Sequence, residues 1–312
     1  METNSTKSEP KETLNPHSVV VFFPTFYGDW SPNNDGQPNA DRERGNASIS
    51  TVTNALAAGY RTVVVDGGSS EAYVKTLEGL GVEVVPQREK GMVAAKRQSL
   101  EVAASLEGAK VLLLIQAEKD DVIKDVPQLV NPIINNEADL VVAAREPHLF
   151  EQTYPDFQFA SETWANKWYN KIAHMVGALP EDSAFDWFFG VKAFKNDPTI
   201  VRMFMSQYTF DDPLFAASRN MDPDRYSNFD FFPILAAVKN GKRVASVEIP
   251  FQYPINQKQL EETLAPQFVE KRRMQRQSIL AEFVQYARLI TNNPKNHLMR
   301  VMEKEADNFQ NS

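Results

Sequence analysis

Short apolar runs, separated by segments with helical spacing, constrain the fold of this chain more than any other feature. The runs are Val19–Phe23, Arg61–Val65, Val82–Val85, Val111–Ile115 and Asp139–Ala143. Runs of this length are typical of strands that are buried on both faces. The intervening helical patterns cover 47–58, 71–80, 90–106 and 126–134. Strands that alternate with helices predict an α/β fold with a mostly parallel sheet and helices on both faces.

The second half of the chain has a less regular pattern. Helices are predicted at 161–175, 229–239 and 266–290, a mixed strand-like stretch at 187–194 and a strand at 243–249. We therefore expect one domain over 17–291, with a nucleotide-binding half (17–145) and an acceptor half (146–291). Polar tails are expected at 1–16, which we expect to be disordered, and at 292–312.

Composition excludes several classes of function. The 312 residues include 33 Lys and Arg against 41 Asp and Glu, a net charge of −8, which argues against a nucleic-acid partner. Cysteine is absent, so disulfides and Cys–zinc sites are excluded. No apolar run approaches the roughly 18 residues of a transmembrane segment, and the polar N-terminus does not resemble a secretory signal. A cytoplasmic protein is expected.

In an open parallel sheet, ligands bind at the carboxyl ends of the strands. Four segments lie at these ends: 24–27, 66–70, 88–91 and 116–121. Together they contain backbone donors, a basic cluster and several carboxylates, a combination that suits a nucleotide diphosphate and a divalent cation. No Gly-x-Gly-x-x-Gly, P-loop or Gly-x-Ser-x-Gly motif is present.

The motifs at these strand ends occur in a recognisable order. They are Pro24, the Asp66–Ser70 turn, the Lys90–Ala95 helix start, Gln116–Glu118, Asp186–Phe194 and Gly241–Pro250. In this order the chain resembles the GT-A glycosyltransferases, specifically glycosyltransferase family 2 and its dolichol-phosphate-mannose-synthase-like branch, over roughly 19–253. The resemblance implies a GT-A fold and sugar transfer from a UDP- or GDP-linked donor to a hydroxyl or phosphate of an unidentified acceptor.

The resemblance also implies which residues bind the donor nucleotide. Asp66 would hydrogen-bond the nucleobase, and Pro24, Thr25 and Tyr27 would line the base and ribose pocket. Gly67 belongs to the same turn. The alternative is that Asp66 satisfies only the backbone N–H groups of its own turn.

Basic residues near the third strand would meet the diphosphate or the sugar. These are Arg88 and Lys90, together with Arg97, while Gly91 permits a close backbone approach. Taken singly, each of these charges is more often a solvated surface group.

A metal site is implied after the fourth strand. The family's Asp-x-Asp falls on Gln116-Ala117-Glu118, where Gln116 replaces the first Asp and Glu118 the second. Glu118, with Asp120 nearby, would bind Mg²⁺ or Mn²⁺, and Gln116 and Ala117 would contact the nucleotide. The alternative is a polar, solvated turn.

Asp186 is the candidate catalytic base. An inverting transfer needs a carboxylate beside the acceptor hydroxyl. The aromatic residues around it (Phe185, Trp187, Phe188 and Phe189) are expected to desolvate the carboxyl group and raise its pKa. They are equally compatible with a plain core around a capping Asp, and a phosphate acceptor would need less help from a base.

Two alternative functions remain open. A sugar-nucleotidyltransferase shares a similar sheet, but its Gly-rich basic loop after the first strand is not present in this sequence. A non-catalytic nucleotide- or sugar-binding descendant is compatible with the Gln116 replacement. The absence of a predicted membrane helix leaves room for peripheral contact with a membrane and for a lipid-phosphate acceptor.

Overall fold

The structure is a computed structural model that describes residues 14–33, 39–175, 177–208 and 227–263, with single positions at 266, 269 and 283. The strands are β1 (Val19–Thr25), β2 (Arg61–Asp66), β3 (Val84–Pro86), β4 (Val111–Leu114), β5 (Leu140–Arg145), β6 (Lys192–Lys195) and β7 (Val244–Ile249). They form one sheet in the order β3-β2-β1-β4-β6-β5-β7.

The sheet is mostly parallel. β1 pairs in parallel with β2 and β4, β2 with β3, and β5 with β7. Only β6 runs the other way, between β4 and β5. The amino end of β6 therefore lies at the same edge as the carboxyl ends of β4 and β5, and the chain that precedes β6 crosses that edge.

The helices connect these strands. They are α1 (Ala40–Ala57), α2 (Glu71–Gly79), α3 (Met92–Ser105), α4 (Val126–Ile134), α5 (Pro147–Thr153), α6 (Asp156–Met175), α7 (Pro198–Met205), α8 (Ser227–Asp230), α9 (Phe232–Lys239) and α10 (Ile255–Thr263). Short 3₁₀ helices span Pro16–Ser18 and Asp120–Asp125.

Both faces of the sheet are covered by apolar residues. In β1, Val20 and Phe22 belong to one buried cluster, which includes residues of α3, α7 and α9. The alternate residues Val19, Val21 and Phe23 belong to a second cluster with residues of α1, α2 and α4. The predicted mostly parallel sheet with helices on both faces is therefore confirmed.

Two local predictions differ from the structure. The helix predicted at 47–58 begins earlier, because α1 starts at Ala40, where the Asn39 side chain caps the helix by accepting from the Arg42 N–H at 2.9 Å. Of the strand-like stretch 187–194, only 192–194 lies in a strand, and that strand, β6, continues to Lys195. The long helix predicted at 266–290 lies outside the described residues, apart from the single positions 266, 269 and 283.

Candidate functional site

The sheet order places three strand ends side by side. β1 lies between β2 and β4, so the turns that follow these strands meet at one edge. Thr25 is in register with Asp66, and β4 leads directly into Gln116 and Glu118. The strand-end rule had selected these segments from the sequence, and the register brings them into contact.

The Asp66 carboxylate is engaged in its own turn. Oδ2 accepts from the backbone N–H groups of Gly68 at 2.9 Å and Ser69 at 2.8 Å. Oδ1 accepts from the Thr25 hydroxyl at 2.9 Å and from the Ser69 hydroxyl. A nucleobase N–H would have to share an oxygen with these donors. The Gly67 N–H donates to the Thr25 carbonyl at 2.8 Å.

Two aromatic residues follow β1 with opposite environments. Phe26 is 63% exposed and lies near the Gly67–Gly68 turn, so its ring is accessible beside Asp66. Tyr27 is buried, and its ring packs edge-on against Tyr73. Pro24 is half-buried at the end of β1. The edge therefore presents an exposed ring above a polar turn.

Glu118 is bound by two partners from distant parts of the chain. Its Oε1 accepts from the Tyr27 hydroxyl at 3.0 Å and lies 2.6 Å from Nη2 of Arg44, a residue in the first turns of α1. Burial alone would raise the pKa of Glu118, but Arg44, a backbone hydrogen bond, Tyr27 and Lys119 together hold it below its ordinary value. Glu118 is therefore ionised at neutral pH.

The neighbours of Glu118 have separate partners. Gln116 lies against Gly190, where a Cβ atom would approach its Nε2 to 2.7 Å. The carbonyl of Ala117 accepts from the Thr51 hydroxyl at 2.7 Å. Asp120 accepts from the Ser50 hydroxyl on α1 at 2.9 Å. The turn after β4 is thus held to α1.

The basic residues predicted near β3 lie at the surface. Arg88 is exposed and pairs with Glu101 on α3. Lys90 is exposed. Gly91 caps α3 with a φ of +125°, a conformation that favours glycine, and its carbonyl accepts from Gln87 Nε2 at 2.8 Å. Arg97, also singled out, donates to the Ser206 carbonyl at 2.8 Å.

Asp186 forms a buried network with the end of β5. Nε and Nη2 of Arg145 each donate to its carboxylate at 2.7 Å, and Asn166 of α6 donates at 2.8 Å. Nη1 of Arg145 donates to Glu162 at 2.6 Å. Both carboxylates are therefore tied to one guanidinium.

The expected rise in the pKa of Asp186 is wrong. Burial does raise the pKa, but Arg145 and the hydrogen bond from Asn166 outweigh it and hold the pKa below its ordinary value. The aromatic neighbours desolvate the Asp186 carboxyl group, but the paired Arg145 cation determines that its pKa shift is downward. In this arrangement Asp186 is ionised, with both oxygens already accepting hydrogen bonds.

Lys119 lies next to Glu118 and is only 7% exposed. Its Nζ is 4.7 Å from the ring centre of Phe189, 4.9 Å from that of Phe251 and 6.0 Å from that of Tyr154. Burial, followed by repulsion from Arg145, lowers the pKa of Lys119 to about 8. The ammonium is thus surrounded by rings at the edge where the candidate site lies.

The donor set offers limited coordination to a divalent cation. Within the described ranges, no three His, Asp or Glu side chains are grouped as a metal site. Mg²⁺ is commonly held by one or two carboxylates, with water and substrate phosphates completing its shell. Ionised Glu118 fits the role of a single protein ligand, although the Arg44 guanidinium shares its Oε1.

Several residues of this edge were not identified from the sequence. Arg145 closes an apolar strand, so applying the strand-end rule to β5 as well would have found it. Lys119 lies in 116–121, one of the four strand-end segments, but it was not proposed as a site residue. Arg44 and Asn166 carried no comparable signal, because each meets its partner only through the packing of a helix against the sheet edge.

No family model matches the chain, and no curated protein matches its sequence significantly. The chain is similar in structure to glucosyl-3-phosphoglycerate synthase of Mycobacterium tuberculosis, with 13% identity, a TM-score of 0.49 and coverage of 90% of this chain and 82% of that one. The complex of that synthase with Mg²⁺ and uridine diphosphate has 14% identity to this chain and a TM-score of 0.48. The match covers 90% of this chain and 81% of that one.

A third structure, of the same synthase with Mn²⁺, UDP-glucose and phosphoglyceric acid, gives 13% identity, a TM-score of 0.48 and coverage of 90% and 82%. Among the helices that the structure describes, none is long and apolar enough to cross a membrane.

Proposed function

We propose that this protein is a glycosyltransferase that moves a sugar from a nucleotide-diphosphate donor to a hydroxyl or phosphate of an acceptor. The observation that carries the proposal is the meeting of three strand ends at the carboxyl edge of the sheet. There an exposed ring (Phe26), a polar turn (Asp66) and an ionised carboxylate (Glu118) lie on the adjacent strands β1, β2 and β4. The ring and the turn suit a nucleobase, and the carboxylate on the far side of β1 suits the metal that accompanies a diphosphate.

Phe26 and Asp66 are the proposed binding surface for the nucleobase. An exposed ring can stack on a base of any sequence, and such stacking contributes about 1–3 kcal/mol. Pro24, Thr25 and Tyr27 support this surface, because Thr25 bonds to Asp66 and the Tyr27 N–H donates to Ser69 at 2.8 Å. Gly67, Gln116 and Ala117 are proposed to contact the nucleotide through the backbone or, at Gln116, the amide.

Glu118, with Asp120 nearby, is proposed to hold Mg²⁺ or Mn²⁺. When bound, such an ion supplies positive charge that stabilises the departing nucleotide diphosphate. Arg44 can neutralise the same region, because its guanidinium lies 2.6 Å from Glu118. Lys90 and Arg88 are proposed to approach the sugar or diphosphate, and Gly91 allows the backbone to approach closely.

Asp186 is proposed to orient the acceptor side of the site. The Asp186 carboxylate accepts two hydrogen bonds from the Arg145 guanidinium, and this pairing makes it a weak base. Asp186 would therefore accept a proton from the acceptor hydroxyl in a conformation in which its hydrogen bonds to Arg145 are longer. A phosphate acceptor, which needs little help from a base, fits the paired arrangement directly.

The order of the sequence motifs supports placing the protein in glycosyltransferase family 2 and in its dolichol-phosphate-mannose-synthase-like branch.

A screen of UDP- and GDP-linked sugars for donor hydrolysis, with Mn²⁺ and with EDTA, tests the proposal. Metal-dependent release of UDP or GDP is expected. Release of pyrophosphate from a nucleoside triphosphate and a sugar phosphate would instead identify a nucleotidyltransferase.

A non-catalytic nucleotide- or sugar-binding protein is the second candidate. The pairing of Glu118 with Arg44 and the replacement by Gln116 favour it, because both reduce the negative charge that is available to a metal. Nucleotide affinity that is unchanged by chelation, with no hydrolysis of any donor, would support this candidate over the transferase.

A further inference from the structure

The ammonium of Lys119 lies among aromatic rings at the sheet edge. Lys119 follows Glu118 directly after β4 and is 93% buried, since only 7% of the residue is exposed. The rings of Phe189 and Phe251 lie within 5 Å of Nζ. Of the residues that the structure describes, none accepts a hydrogen bond from this ammonium, which carries three N–H donors.

The acidic groups nearby are bound to other cations. Arg145 holds both Asp186 and Glu162, and Arg44 holds Glu118. Lys119 therefore feels these carboxylates only at a distance. An ammonium that is desolvated and left without acceptors is costly, and the faces of aromatic rings replace only part of its hydration.

A second cation faces the same rings. The Arg145 guanidinium carbon lies 4.9 Å from the centre of Tyr154 and 5.5 Å from that of Phe189, two of the rings around Lys119. Two cations that face the same rings, away from bulk water, repel each other. An anion that accepts hydrogen bonds from Lys119 would supply the missing acceptors and reduce this repulsion.

We infer that Lys119 binds a phosphate oxygen of the substrate at the carboxyl edge of the sheet. This inference rests on the proposed function, which brings a phosphate to this edge either as the diphosphate of the donor or as a phosphate of the acceptor. The shared ligand chemistry is a tetrahedral oxyanion with several acceptor oxygens. Lys119 acts here as a binding residue, next to the carboxylate proposed for the metal.

Calorimetry with inorganic pyrophosphate, and separately with UDP and GDP, tests this inference in EDTA, where no divalent cation contributes. Lys119→Met keeps a long apolar side chain among the rings but removes the charge, and Lys119→Arg keeps the charge. Lys124→Met is the matched control, because Lys124 is half-exposed and pairs with Asp121 on the following 3₁₀ helix.

In the wild-type protein we expect pyrophosphate and at least one nucleotide to bind. Lys119→Met should weaken pyrophosphate binding about tenfold or more, and nucleotide binding as well where Lys119 serves the donor diphosphate, whereas Lys119→Arg and Lys124→Met should stay within about threefold. Competition between pyrophosphate and the nucleotide assigns Lys119 to the donor diphosphate. Simultaneous binding of both assigns it to a phosphate of the acceptor.

Other outcomes separate the two proposals. If pyrophosphate and the nucleotide both bind equally well to wild type and to Lys119→Met, the inference about Lys119 is overturned and the proposed function stands. If no nucleotide binds either in EDTA or with Mn²⁺, but pyrophosphate binding still depends on Lys119, the anion site stands and the proposed function fails. If neither pyrophosphate nor any nucleotide binds to the wild type, the inference is also overturned.

The folded state of each variant is checked by its thermal midpoint and circular dichroism. If Lys119→Met does not fold, Lys119→Gln replaces it. The wild-type protein provides a further test that needs no variant. Pyrophosphate should raise its thermal midpoint more than an equal ionic strength of chloride does, and an equal rise with both salts would refute a specific phosphate site.

Discussion

Replacing Asp186 with Asn should destabilise the protein far more than an ordinary surface substitution does. The carboxylate accepts from Nε and Nη2 of Arg145, both at 2.7 Å, and from Asn166 at 2.8 Å. An amide would present N–H donors to the donors of Arg145. The guanidinium, which is buried, would then keep only Glu162 as its anionic partner.

The expected loss is about 3–5 kcal/mol, the range found when one partner of a buried ion pair is removed. Urea denaturation measures it as a lower midpoint with an unchanged slope. Asp182→Asn is the matched control, since Asp182 is exposed in the same segment, and it should stay within about 0.5 kcal/mol of wild type.

The pH dependence gives an independent check. The folded-state pKa of Asp186 lies below its ordinary value, because Arg145 outweighs the effect of burial. Its stabilising contribution is therefore complete above the unfolded-state pKa, near 4, and is lost as the pH falls through the lower folded-state pKa. Asp186→Asn should show a flatter loss of stability in acid. A variant within 1 kcal/mol of wild type, or one with the same acid profile, would refute the reasoning.

Three further predictions concern the carboxyl edge of the sheet, where Glu118 and Phe26 lie, and the opposite edge, where Asp139 precedes β5. Glu118→Ala should lower sugar transfer about 100-fold or more, because it removes charge stabilisation of several kcal/mol. Exposed Glu137→Ala is its control, and activity within threefold of wild type would contradict the role of Glu118. Phe26→Ala should weaken UDP or GDP binding by about 1–3 kcal/mol without changing the thermal midpoint, and an unchanged dissociation constant in calorimetry would place the base elsewhere. Asp139→Asn should cost about 1–3 kcal/mol in urea denaturation, since its carboxylate accepts from Arg243 at 2.9 Å. Hydrogen bonds from Arg243, which outweigh burial, lower the pKa of Asp139, so this contribution should be complete above about pH 4 and decline as the pH falls toward the lower folded-state pKa; stability that rises in acid would contradict it.

The candidate site at the carboxyl edge of the sheet is only partly encoded in local sequence patterns. The apolar runs predicted where each strand ends. Because the carboxyl ends of parallel strands lie at one edge of a sheet, these ends predicted that Thr25, Asp66 and Glu118 would lie at the same edge. The environment of Asp186 was predicted with the wrong sign, because its aromatic neighbours adjoin it in the sequence, whereas Arg145 reaches it from the end of another strand. Local patterns show which residues are desolvated but do not show which charge compensates them.

Local sequence patterns are sufficient to predict the class of the fold. Alternating strands and helices must bury both faces of a sheet, and parallel connections place all the carboxyl ends at one edge. Only the tertiary structure decided that β6 inserts antiparallel between β4 and β5, that Arg44 pairs with Glu118, and that Lys119 is enclosed by rings. The physical reason is that periodicity specifies the direction in which a side chain faces along its own element. The partner that it meets depends on how distant elements pack.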